Sequence, residues 1–244
     1  MTKKILPLLL LVAIYFVALF SCKKSTNSNT DLTRNYFPLQ FGKYVTYAVD
    51  SIYYIDTVAR YEIKSQMKYA ITDTVTIKKK LNYIMNVYTR PYDGADWQPN
   101  SVIIIQPTTT NLLYTQDGNQ YVKLMFPITN GFSWPGNQYV EVGVPEKAYF
   151  KNWNYTYNNY RLPYFNGIVN FDNTVTVNED DESSNYMYVD SQVTAYRTYA
   201  KEVYAYNIGM IYKEWTHWTH NVDTIHFRNV KNGYTVIMQA IEHN

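Results

Sequence analysis

From Tyr36 onward the chain is a succession of short apolar runs, rich in Tyr, Val and Ile, separated by turn signals. "KYVTYAVDSIYYID" (43–56) has no helix-period apolar stripe and is strand-like throughout. "YEIKSQMKYAITDTVTIKKKLNYIMNVYTR" (61–90) holds two or three strand candidates, and "SVIII" (101–105) a short buried one. In "NLLYTQDGNQYVKLMF" (111–126) two apolar runs flank Asp117-Gly118, which predicts a β-hairpin. "TNGFSWPGNQ" (129–138) is a loop by its glycines and proline. "EKAYFKNWNYTY" (146–157) is a further strand candidate, and 169–193 is a strand, an acidic loop and a second strand. The stretch 190–206 is the most compatible with helix, yet its Thr, Val and Tyr content suits a strand at least as well. Two last runs flank "KNG" (231–233), which predicts a second hairpin.

Successive strands joined by tight turns pair antiparallel. A sheet this long must hide its edges by curling or by splitting into two layers. The expected fold is therefore all-β. It is a single antiparallel, strongly curved barrel-like or half-barrel sheet, with a two-layer β-sandwich as the alternative and little helix outside the N-terminal segment.

Composition narrows the function. The 27 tyrosines suit half-exposed strand positions, because a phenol has an apolar body and a polar tip. The whole chain has 22 basic and 20 acidic side chains. Lys3 and Lys4 are the only charges in the first 21 residues, so the remainder has 20 of each sign. A balanced chain is a poor nucleic-acid binder, and no nucleic-acid partner is expected.

The N-terminus reads as an export signal. Lys3 and Lys4 precede an uncharged apolar run, Ile5 to Phe20, of about 16 residues, short of the roughly 20 that span a bilayer. Ser21 is small, as a cleavage site requires, and Cys22 is the chain's one cysteine. Leu19-Phe20-Ser21-Cys22 resembles the lipobox of bacterial lipoproteins, with Phe20 where a small or branched residue is usual. The resemblance implies fatty acids attached at Cys22, with cleavage between Ser21 and Cys22. A plain secretory cleavage region and a retained membrane anchor are the alternatives. With no second cysteine, Cys22 has no intramolecular disulfide partner. The domains expected are a signal peptide (1–21), a flexible tether (22–35) and a single β domain (36–244).

Three stretches resemble a group of Bacteroidota lipoproteins whose activity is not established. They are "NYFPLQFGKYVTYAVDSIYY" (35–54), "FPITNGFSWPGN" (126–137) and "YAYNIGMIYKEW" (204–215). The resemblance implies an outer-membrane, lipid-anchored protein. Acidic residues right after the lipidated cysteine often accompany surface export in that phylum. Here Lys23 and Lys24 hold those places, which favours the periplasmic face.

Chemistry-bearing clusters are sparse. His217, His220 and His226 in "HWTHNVDTIH" fall on alternating sides of a strand, and solvated or hydrogen-bonded histidines are expected there, not a metal site. "NEDDES" (178–183) lacks the pattern of a calcium loop and is read as a solvated turn. Asp93 and Asp96 beside Trp97 have the residue types of a glycosidase or sugar binder, with nothing to set their separation. No catalytic residue, cofactor or metal is therefore expected. The function expected is binding, without catalysis, of an apolar or glycan ligand or of an envelope protein. Trp97, Trp134 and Trp153 are the candidate lining residues, and the lipid at Cys22 tethers the domain to the membrane. The alternatives are a structural component of an envelope assembly and, less favoured, a carbohydrate hydrolase.

Overall fold

The computed structural model describes residues 32–55, 59–189, 192–223 and 228–244; Cys22, the signal segment and the tether up to residue 31 lie outside them. Thr33–Asn244 is one compact unit. A 3-10 turn, Leu32–Tyr36, leads into β1 (Tyr44–Ile55), β2 (Ala59–Ile77), β3 (Lys80–Arg90) and β4 (Gln98–Pro107). Then come β5 (Asn111–Gln116), β6 (Asn119–Met125) and the short β7 (Ser133–Trp134). A second 3-10 turn, Pro145–Phe150, precedes β8 (Tyr155–Phe165), β9 (Asn170–Val189), β10 (Gln192–Ala205), β11 (Gly209–Asp223) and β12 (Arg228–His243).

These form one 12-stranded sheet in the order β6-β5-β4-β3-β2-β1-β12-β11-β10-β9-β8-β7. Every pairing is antiparallel, and the first and last strands meet in the middle of the sheet. The two outermost strands, β6 and β7, are consecutive in the chain, so the sheet curls until its edges nearly touch. Val122 N–H donates to Gly136 O at 2.8 Å and Trp134 Nε1 to Val122 O at 2.7 Å. The Tyr157 hydroxyl accepts from Met125 N and donates to Met125 O, at 2.8 and 2.9 Å. These bonds give the edge groups partners that a flat sheet would leave to solvent or to another chain. The all-β, barrel-like expectation holds, and the sheet is nearly closed.

Strand alternation builds the interior. On β1, Val45, Tyr47, Val49 and Ser51 are all buried. The register carries this face across neighbouring strands: Val49 lies opposite Met238, Met238 opposite Lys213, and Lys213 opposite Glu202. A parallel row runs from Ser51 through Val236 and Trp215 to Ala200. The predicted hairpin is present: Asp117 and Gly118 both take positive φ, 50° and 74°, as a two-residue primed turn between β5 and β6 demands.

Elsewhere the structure corrects the sequence reading. The acidic stretch 178–183 is no loop; β9 runs through it without a break. Two of its acids pair, Glu179 inward on Lys123 and Asp181 on Arg197. "KNG" is no turn either, because Gly233 lies inside β12 at φ 135°, opposite Trp218. A Cβ there would stand 2.1 Å from His217 O and 2.5 Å from Trp218 Cα, so glycine serves close strand approach. The first half of 146–157 is the Pro145–Phe150 turn, and the strand begins only at Tyr155. Phe150 and Trp153 pack on Trp215, and that burial draws the segment off the strand path. The helix-compatible stretch is strand β10 from Gln192 on.

Candidate functional site

A cluster of four charged side chains lies inside the curled sheet. Lys123, on the inner face of β6, places Nζ 2.6 Å from Glu179 Oε1 and 2.8 Å from Glu202 Oε1. Lys213 on β11 adds a contact of 3.0 Å to the same Glu202 oxygen. The other Glu202 oxygen accepts the Tyr204 hydroxyl. Both carboxylates and Lys123 are buried, Glu179 and Glu202 at 1% exposure. Two ammonium and two carboxylate groups make the cluster neutral, the condition under which charges survive away from water.

Environment separates the four. Burial alone would lower the Lys123 ammonium, but Glu179 and Glu202 outweigh it and hold its pKa above the ordinary lysine value. Burial also pushes Glu202 up, and the two lysines with the Tyr204 bond more than reverse this, so Glu202 sits well below the usual carboxylate range. Glu179 goes the other way: burial and the neighbouring Glu202 carboxylate raise it. Glu202 is therefore the fixed anion, and Glu179 is the group that takes a proton first. One residue along β9, Asp180 is lifted to about 7 by burial and by Glu182, and its Oδ2 is buried with no hydrogen-bond partner among the described residues.

Against this cluster lies a cavity of about 170 Å³. Its aromatic wall is Tyr47 of β1, Tyr69 of β2, Tyr114 of β5, Tyr121 of β6 and Tyr155 of β8. Lys123, Glu202 and Lys213 supply polar atoms, Trp215 adds its ring, and Asp117 of the β5–β6 turn and Asn119 at the start of β6 also line it. Tyr47 and Tyr69 meet edge-to-face at 5.2 Å, and the Tyr47 hydroxyl crosses the interior to Met210 O at 2.9 Å. The Pro145–Phe150 turn fills the neighbouring interior, with Tyr149 stacked on His217 at 3.9 Å and Phe150 edge-on to Trp215 at 5.7 Å. Burial lowers the His217 pKa, so its ring stays neutral and suited to that stack.

The candidate tryptophans fall elsewhere. Trp134 and Trp153, each 3% exposed, are core residues, Trp134 holding the sheet edges together and Trp153 donating to Tyr149 O. Trp97 lies under the Arg90 guanidinium at 4.4 Å on an outer loop, where Arg90 also pairs with the exposed Asp93. None of the three is in the cavity wall; the tryptophan there is Trp215. Its opposite-face neighbour, Trp218, packs outside on Lys231 at 4.1 Å. The sequence reading missed Lys123, Glu179, Glu202 and Lys213. One signal was available: Lys123 stands in an otherwise apolar strand, "YVKLM", with nothing nearby in sequence to pair with.

No family model matches the chain, and no curated protein matches it. Two crystal structures resemble it weakly. One, from Bacteroides fragilis, is described as an exported protein with a YmcC-like fold; it is 12% identical, the match covers 84% of this chain and 98% of that one, and the TM-score is 0.26. The other, from Parabacteroides distasonis, is described as a lipoprotein; it is 15% identical with the same coverage of 84% and 98%, and the TM-score is 0.27.

Proposed function

We propose that this chain is a lipid-anchored binding protein of the bacterial envelope whose interior cavity takes a small hydroxyl-bearing ring, a sugar residue in preference to an apolar ligand. The observation that carries the reading is the cavity itself: aromatic faces together with buried, hydrogen-bonding side chains. A void of about 150 Å³ accommodates benzene, a bare six-membered ring, and this one is about 170 Å³. A wholly apolar ligand would strip water from Lys213, the partly exposed member of the cluster, without replacing it. A pyranose offers flat C–H faces to tyrosines and hydroxyls to the charged groups. The same geometry speaks against a hydrolase. In retaining glycosidases the carboxyl groups stand about 5 Å apart with the scissile bond between them. Here the space between Glu179 and Glu202 is held by Lys123 Nζ.

The binding test is calorimetric titration of the purified full chain in detergent with glucose, galactose and, as the apolar competitor, decanoate. Saturable heats from a sugar with none from decanoate are expected. The reverse order, or no sugar heat with sugar in large excess over protein, defeats the reading. For the anchor, periplasmic-face outer-membrane attachment through Cys22 is the proposal, supported by the lipobox. Cys22→Ser is expected to abolish labelling by a clickable palmitate analogue and to release the protein to the soluble envelope fraction. Unchanged labelling would refute lipidation at that residue.

A further inference from the structure

Antiparallel alternation collects the β2–β3, β4–β5, β8–β9 and β10–β11 connections at one end of the sheet, where β1 begins and β12 ends. The chain enters the domain at this same end. Asn35 O accepts from Asn207 N in the β10–β11 connection at 2.8 Å, and the Arg34 guanidinium donates to Thr109 O in the β4–β5 connection. Cys22 precedes Thr33 by eleven residues, at most about 40 Å of extended chain. A lipid on Cys22 therefore keeps this end within reach of the bilayer.

The β2–β3 hairpin projects here past the start of β1. Tyr44, the first residue of β1, lies opposite Ala70, and β2 continues beyond it to Ile77. The hairpin tip is Ile77-Lys78-Lys79-Lys80-Leu81, exposed throughout, and Asp73 is the one acid between Ile71 and Asn82. Lys78 and Lys79 take positive φ, 49° and 64°. A two-residue primed turn favours Asn-Gly at these places, so the lysines stand there against local backbone preference. Val75 and Ile77 are exposed on one face of the hairpin, and Leu81, opposite Thr76, on the other. Phe41, 79% exposed, and Phe165 and Ile168 at the β8–β9 connection add apolar surface to the same end.

We infer that this end of the domain docks on the bilayer that holds the lipid. The hairpin tip enters the interfacial layer, and Lys78, Lys79 and Lys80 meet anionic phosphate headgroups. A rigid partner seated on one face of the hairpin would leave the other bare, whereas a fluid headgroup layer covers both. The attraction is local, because the chain after residue 21 has 20 charges of each sign. The inference goes beyond the anchor reading, which needs only Cys22, and takes its direction from it.

The test uses the full lipidated chain in vesicles of phosphatidylethanolamine and phosphatidylglycerol that carry nitroxide-labelled lipid. Ile77→Cys gives a single site for a fluorescent probe, since the lipid blocks Cys22. Ile63→Cys is the control, exposed as well and about 45 Å back along β2. Strong quenching at the Ile77 site and little at the Ile63 site is expected. Lys78→Asn combined with Lys79→Gly suits the primed turn better than the parent, so misfolding does not explain a loss. With two charges removed, the ratio of docked to undocked domain should fall roughly thirtyfold. Phosphatidylcholine vesicles, or about 0.5 M salt, should act in the same direction. Equal quenching at the two sites, or quenching at the Ile77 site untouched by the double substitution, overturns the docking and leaves the anchor standing. A chain that does not float with the vesicles at all overturns both.

Discussion

Lys123→Met is expected to cost about 3–5 kcal/mol of stability, the penalty for leaving a buried ion partner uncompensated. The side chain is only 7% exposed, and both of its carboxylate partners are buried more deeply still. Methionine fills the volume, so the loss is electrostatic and not a cavity effect. Glu202 keeps Lys213 and Tyr204, but Glu179 loses its ammonium and must take up a proton. Urea titration followed by tryptophan fluorescence measures the change. At roughly 2–4 °C per kcal/mol for a chain of this size, a thermal midpoint about 10 °C lower accompanies it. Lys147→Met is the comparison, since that lysine bonds a neutral side chain, Asn119 at the start of β6. A Lys123→Met loss below about 1 kcal/mol would mean that the cluster is solvated and that the electrostatic account of the interior is wrong.

Gly233→Val is the second large effect, at about 3 kcal/mol, from two sources. The backbone sits at φ 135°, where side-chain-bearing residues are strained. The new Cβ would also meet His217 O at 2.1 Å and Trp218 Cα at 2.5 Å, backbone atoms that cannot rotate away. The damage falls on the pairing of β11 with β12, and so on the wall that holds Lys213 and Trp215. Gly143→Ala is the contrast: nothing lies within 4 Å of its Cβ position and its φ is not in the left-handed region. That change should stay within about 0.5 kcal/mol. Equal stability of the two variants would show that β11 and β12 separate freely at Gly233.

Much of the fold was legible because a strand's side-chain period is short and local. Asp117-Gly118 between apolar runs located a hairpin from a few residues, since only a primed turn with positive φ reverses the chain there. The same local logic failed at "KNG" and at "NEDDES". In both, a residue type common in turns serves a neighbour distant in sequence: Gly233 yields to the Trp218 backbone, and Glu179 answers Lys123, 56 residues away. Tryptophan was likewise a poor guide to the cavity. Its bulk marks burial, and burial alone does not separate Trp153, packed into the core, from Trp215, which borders open space.

By itself the amino-acid order determined an all-β chain: alternating Tyr, Val and Ile residues commit each segment to a pleated strand with one face to bury. It also placed a lone cysteine behind an apolar run, the basis for expecting a lipid there. Only the tertiary structure decided that β6 curls round to β7 and that Lys123 lands between Glu179 of β9 and Glu202 of β10. Local preference selects a strand within a few residues, whereas the meeting of charges from three strands depends on the register and curvature of the whole sheet, which no short window of sequence contains.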